Sequence, residues 1–252
     1  MPGARTFASG TVRFWWNAWF NEAQIGGGSE QGLLNPYLMP MYWEVMLGPE
    51  VTPTIQYLQT FGVDAIIVHE EHSKSGLKDF VYPKKFRGAL PVIYDNGQGD
   101  IIYRIPRRYP GLARVVDTRK ALSIPPVHPD RAARNIEAYS ALIERGPEAP
   151  VSTAWEGNGV LRIRARVAAG QSVLVQTSHD PCWRAYSGGR SLSVKKDVMG
   201  QMLIEAPPGE HDLRLVFEPP FENFIGRIVT VLALAACLAL FAAAARQREV
   251  PA

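Results

Sequence analysis

Eighteen residues, Ile228 to Ala245, run without a charge between Arg227 and Arg246, close to the carboxyl end of a 252-residue chain. At about 1.5 Å rise per residue such a run makes a helix of roughly 27 Å, close to the roughly 30 Å hydrocarbon core of a bilayer. Four Leu, two Val, one Ile and one Phe are diluted by eight Ala. At roughly −0.3 to −0.6 kcal/mol each, the eight strong apolar residues favour insertion by about 2 to 5 kcal/mol. A soluble helix of that length shows a polar face, and this one offers only Thr230. The run predicts one transmembrane helix over residues 225–246.

Arg246 and Arg248 follow the run and only Arg227 closely precedes it, which places the tail, 247–252, in the cytoplasm and the bulk of the chain outside. Residues 1–30 show neither a cleavable signal nor an earlier span. Two expectations follow. The chain is either the late, extracytoplasmic part of a longer polytopic membrane protein, or a tail-anchored protein with a cytosolic α/β domain.

The other 225 or so residues suffice for one large or two small domains. With 27 Lys+Arg against 24 Asp+Glu, and no basic stripe with interleaved aromatics, nucleic acid is not an expected partner. Cys237 lies within the span and Cys182 stands alone outside it, so no disulfide within the extracytoplasmic part is expected.

The pattern predicts an α+β chain: an N-terminal α/β module over 1–105, a connector with one helix over 106–150, and an antiparallel β-sandwich over 151–222. Residues 1–32 read as an ordered, Gly-rich loop. Leu33–Leu47 and Thr52–Phe61 have helical apolar spacing, with Thr52-Pro53 as a helix start. Gly62 ends that helix, and Val63–Val68 reads as a buried strand. Leu90–Tyr94 and Ile101–Ile105 flank Asn96-Gly97-Gln98-Gly99, which is hairpin punctuation. Prolines punctuate 106–129 before a helical stretch near Asp130–Arg145. Beyond Gly146-Pro147, Leu161, Ile163, Ala165 and Val167 alternate with Arg162, Arg164 and Arg166, and the alternation returns over His211–Phe217. Val173–Thr177 and Leu203–Ala206 are intermediate strands.

Ser178-His179-Asp180-Pro181-Cys182-Trp183-Arg184-Ala185-Tyr186-Ser187-Gly188-Gly189 resembles the "pGW.a.vdG" strand and turn of YfhO-type bacterial membrane proteins, with Cys182 where that pattern has Gly. Ala206-Pro207-Pro208-Gly209-Glu210-His211 resembles their "vp.G.H" turn, and Phe217-Glu218-Pro219-Pro220 their "Y.P" exit into a final span. Asn17, Gln24, Gly27, Gly28, Gln31, Gly32 and Asn35 are similar to a loop pattern of larger relatives, and Phe61–Val68 to their "lGV.yiVv" strand. The resemblance implies a many-span, cell-envelope protein of GT-C glycosyltransferase-like fold that uses polyprenyl-phosphate sugars. It places the catalytic carboxylates in an early loop this chain lacks. This chain is then an accessory extracytoplasmic module, in contact with membrane lipid and with glycan through the parent protein. The alternative is a structural or interaction module without a ligand.

No catalytic residue, metal ligand or cofactor is expected here. His69-Glu70-Glu71-His72 has its two His at i and i+3, whereas zinc-protease chemistry needs i and i+4 on one helical face, so a solvated loop is the expectation. Ser178, His179 and Asp180 are consecutive and cannot converge as nucleophile, base and orienter. Gly26–Gly32 lacks the GK[ST] ending of a phosphate loop and reads as turns. Trp183 reads as an anchor of the sandwich core. Three Trp in five residues, Trp15, Trp16 and Trp19, cannot all face one core, so at least one sits at a membrane interface or a ligand groove. The candidate ligand-binding set is therefore Trp15, Trp16, Asn17, Trp19, Gln24, Glu30 and Asn35.

Overall fold

The computed structural model describes residues 4–20, 22–25, 34–126 and 128–248. The fold is α+β, with a mixed sheet, an antiparallel β-sandwich and a C-terminal apolar helix. Met1–Val216 make one compact unit and Phe217–Ala252 a second.

The mixed sheet has five strands, β1 (Arg5–Phe7), β2 (Ala23–Ile25), β3 (Ala65–His69), β4 (Val92–Asp95) and β5 (Asp100–Arg104), in the order β2-β1-β3-β5-β4. The first three are parallel, and β5 runs antiparallel to both its neighbours. All five residues of β3 are buried, as the unbroken apolar run requires of a central strand covered on both faces. Strands β1 and β2 lie where the sequence suggests only loop. Three residues each are too few to show a period, and pairing with β3 defines them instead.

Helices α2 (Leu38–Leu47) and α3 (Val51–Thr60), preceded in the chain by the short α1 (Trp16–Phe20), bury Met41, Tyr42, Val45, Tyr57 and Leu58 in the core of this layer. Pro40 and Pro53 fall in the first turns, where a missing N–H leaves no intrahelical bond unmade, so neither breaks its helix. Between α2 and α3, the Lys85 ammonium donates to the Val45 carbonyl at 3.0 Å, to Gly48 at 2.6 Å and to the Thr54 hydroxyl at 2.9 Å. These bonds satisfy carbonyls that the end of a helix leaves open. The β4–β5 turn forms at the expected residues, with Gly97 and Gly99 at φ of +68° and +94°.

The proline-punctuated stretch 106–150 carries α5 (Ala133–Glu144) as expected, and also β6 (Ala113–Asp117) and α4 (Thr118–Ser123). Arg114, in the middle of β6, obscures it in the sequence. The side chain is 2% exposed, and its guanidinium donates to the backbone carbonyls of Tyr109, Gly111 and Ala113.

The sandwich is one eight-stranded sheet in the order β6-β9-β12-β11-β10-β13-β8-β7, folded over so that its ends approach. Its members are β7 (Val151–Trp155), β8 (Val160–Val167), β9 (Gln171–Ser178), β10 (Trp183–Ser187), β11 (Arg190–Lys196), β12 (Gln201–Glu205) and β13 (Gly209–Phe217). Leu161, Ile163 and Ala165 of β8 and Leu213 and Leu215 of β13 meet Val173, Val175, Met202 and Ile204 in one apolar cluster. Arg162, Arg164 and Arg166 face outward, and Arg162 forms a forked pair with Asp212 of β13. Strands β9 and β12 are buried on both faces. Their Leu174 and Leu203 belong to the same core as Ile66, Tyr57 and Tyr139 of the α/β layer.

Helix α6 spans Phe221–Arg248, beginning ahead of the expected residue 225. Phe221–Phe241 contains an 18-residue window of mean hydropathy 2.3, none of it buried, so the helix is long and apolar enough to cross a membrane. The Thr230 hydroxyl donates to the Gly226 carbonyl at 2.8 Å, which satisfies the one hydroxyl of the run within the helix.

Candidate functional site

Parallel strands β1, β2 and β3 end together, and in open α/β sheets the carboxyl edge is where ligands bind. Here that edge has two layers. The inner one is built on Ser9, Gly10, His69, Ser73 and Asp100. Gly10 turns the chain at φ +68°, and a Cβ there would lie 2.6 Å from the His69 ring. His69 ends β3 at 8% exposure, with Nδ1 2.8 Å from Asp100 Oδ1 and Nε2 3.2 Å from the Ser9 carbonyl. Both ring nitrogens face acceptors, so whichever nitrogen carries the proton has a partner to donate to. Ser73 donates to Asp100 Oδ1, and Asn96 Nδ2 donates to Oδ2 at 2.6 Å. Burial alone would push the Asp100 carboxyl up. Hydrogen bonds from Ser73, His69 and Asn96 outweigh it and hold the group below its ordinary value.

This cluster contains Ser, His and Asp without being a nucleophilic triad. Ser73 and Asp100 share the Nδ1 side of the ring, and Nε2, which would accept a nucleophile's proton, faces a carbonyl. His69 and Glu70 also depart from the solvated loop expected for 69–72. Glu70 is 3% exposed and takes a forked pair from Arg87, whereas Glu71 and His72 are exposed. A strand end buried on both sides keeps its last residues inside. Among the described residues no group of three metal-capable side chains converges.

The outer layer is the stretch after β1, a 3-10 turn over Thr11–Phe14 followed by α1. Arg13 reaches Tyr42 and lies 3.8 Å from Asp79, whose other bond is from Gly10 N at 2.6 Å. Gln24 Nε2 donates to the Arg13 carbonyl at 2.7 Å. Arg13 Nε, Trp16 Nε1 and Gln24 Oε1 are buried without a hydrogen-bond partner among the described residues. Each such atom costs about 1–3 kcal/mol of desolvation. Two donors and one acceptor on this edge are thus shielded from solvent and unpaired among the described residues.

The expected ligand set is divided by the structure. Trp16 and Gln24 are half-buried on this edge; Trp15 and Trp19 are exposed, their rings stacked at 6.1 Å. Asn35 is 3% exposed and engaged elsewhere: its amide donates to the Met199 and Gly200 carbonyls at 2.9 and 3.3 Å and accepts from Tyr37 N. Glu30 and the Gly26–Gly32 loop lie outside the described residues, as does the side chain of Asn17. Ser178 closes β9, and Asp180 accepts from Cys182 N in the turn that follows. Trp183 packs half-buried against the sandwich core, as expected of an anchor.

Sequence reading missed Ser9, Arg13, His69, Ser73, Asp79 and Asp100 as one cluster. They come from the ends of β1, β3 and β5 and the segments that follow β1 and β3, up to about ninety residues apart, and no local spacing announces them. Depressions of about 590 Å³ beside α4 and α5, between Lys120 and Arg145, and about 600 Å³ on the sandwich, between Arg164 and Glu210, share no residue with this edge. Comparison with family models, with curated proteins and with solved structures finds no match to this chain.

Proposed function

We propose that this chain is a membrane-anchored, non-catalytic module of a bacterial glycosyltransferase-like membrane protein of the YfhO type. It is held by α6 with its bulk extracytoplasmic. The observation that carries the anchoring is the fully exposed apolar surface of Phe221–Phe241. In water, roughly 25 cal/mol for each Å² of apolar surface opposes such exposure, and a bilayer removes that cost. Arg246 and Arg248 after the run, against Arg227 before it, favour a cytoplasmic tail.

Support for a non-catalytic role comes from the carboxylates near the carboxyl edge. Glu70 is neutralised by Arg87, Asp79 is held by Gly10 N and Arg13, and Asp100 is held by Ser73, His69 and Asn96. A general base must be within reach of the proton it takes, and each of these is occupied by the protein itself. The chain's part would then be to position a glycan or polyprenyl-phosphate sugar that the parent protein processes.

The test has two arms. Expressed in a bacterium, the full chain is expected to stay with membranes through alkaline extraction, and truncation before Phe221 to release it. Incubated in detergent with polyprenyl-phosphate sugars and a polysaccharide acceptor, the chain is expected to transfer no label. Turnover abolished by one carboxylate substitution would overturn the non-catalytic reading, and a full chain soluble without detergent would overturn the anchor.

A further inference from the structure

We infer that the aromatic face over Phe14–Phe20 seats in the boundary between headgroups and acyl chains of a lipid bilayer. The inference rests on the reading of α6 as a span. Four of those seven residues are large aromatics left in the open: Phe14 is 44% exposed, Trp15 56%, Trp19 62% and Phe20 55%. Three of them, Trp15, Trp19 and Phe20, form a continuous surface. Trp15 and Trp19, one helical turn apart, stack at 6.1 Å, and the edge of one ring, Trp19 or Phe20, meets the other at 6.4 Å. At about 150–250 Å² per aromatic side chain, four half-exposed rings present on the order of 400 Å². That is the size of patch that marks an interaction site on a soluble surface.

The patch is held from beneath. The Trp16 ring lies 4.7 Å from that of Phe20, Arg13 is tied to Tyr42 and Asp79, and Gln24 grips the Arg13 carbonyl. Rings fixed in this way present their faces outward without first having to be ordered.

Lipid fits the patch better than sugar for two reasons. A sugar subsite needs side chains converging on ring hydroxyls, yet Arg13 is the one charged residue between Thr11 and Phe20, and its head is turned inward. Indole belongs at the level of the headgroups, where an apolar ring and an N–H donor are both satisfied. No carboxylate in the stretch would repel an anionic headgroup. Three residues, Glu218 to Pro220, separate the end of β13 from the start of α6, so contact with lipid becomes an intramolecular event.

The span contains no Trp, so all six indoles report from outside it. In phosphatidylcholine vesicles brominated along the acyl chains, the full chain is expected to float and its fluorescence to be quenched. The variant Trp15→Ser/Trp19→Ser should float equally and lose most of that quenching. The reciprocal variant Trp43→Phe/Trp155→Phe/Trp183→Phe should keep it, so a folding defect in the first variant cannot mimic the result. A floating chain whose indoles are not quenched overturns the inference and leaves the span intact. So does a soluble oligosaccharide that shifts the emission through Trp15 and Trp19, which would assign the rings to sugar. A chain that does not float overturns the span reading and this inference with it.

Discussion

Asp100 and Lys85 show how single half-buried charges set the acid and alkaline behaviour of the fold. Asp100 is held below its ordinary value because three hydrogen bonds outweigh burial. A depressed carboxyl contributes stability that is present above its unfolded value and lost as pH falls through the folded one. Stability is therefore expected to fall in acid, and Asp100→Asn to cost about 1–3 kcal/mol at neutral pH while flattening the acid limb, read by denaturant midpoints between pH 3 and 7. Lys85 runs the other way. Burial, partly offset by Glu44, pulls it from 10.5 to about 8. Between those values the unfolded chain binds more protons, so this group makes stability rise with pH from 8 to 10.5. Lys85→Met should abolish that rise and lower stability by about 1–3 kcal/mol at pH 7, since the carbonyls it caps are left open. Neither role is legible in the sequence. Lys85 is one of a Lys pair after Pro83, and its acceptors lie about forty residues upstream in α2 and its exit.

At the scale of elements, legibility follows length and period. Strand β8 was readable because eight residues alternate strictly, and α6 because an uncharged run that long has few uses outside a membrane. Strands β1 and β2, of three residues each, carry no period, and β6 hides behind Arg114. The carboxyl-edge cluster was unreadable for a related cause. Its members become neighbours only once β1 and β3 pair, a contact between segments sixty residues apart. The alternation of β8 gives a sharp expectation. Ile163→Asp places a charge in the sandwich core, where a lone carboxylate has no partner, and should cost more than about 4 kcal/mol or prevent folding. Arg164→Gln, one residue on and exposed, should stay within about 0.5 kcal/mol. Equal effects, measured by thermal unfolding, would mean the strand is not oriented as described.

At the scale of the whole molecule, β9 and β12 decide how the two sheets unfold. Val173 and Val175 face the sandwich interior, while Leu174 between them lies in the core that includes Ile66 of β3 and Tyr139 of α5. Polar groups cross the same boundary. Arg5 of β1 donates to the Gln176 carbonyl at 2.7 Å, and Gln176 Nε2 donates to the Gln59 carbonyl at 2.6 Å. Separating the layers would expose apolar surface and strand buried donors together, so neither layer has a stable state without the other. The unit Met1–Val216 is therefore expected to unfold as one cooperative block. Native-state hydrogen exchange of the full chain in detergent should give the same opening free energy for amides of β3 and β8. Leu174→Ala removes volume from a side chain with no exposure and should lower both values together, by about 2–5 kcal/mol. If β8 kept its protection while β3 lost it, the sandwich would be an independent foldon. The shared core would then be a contact between two domains rather than the centre of one.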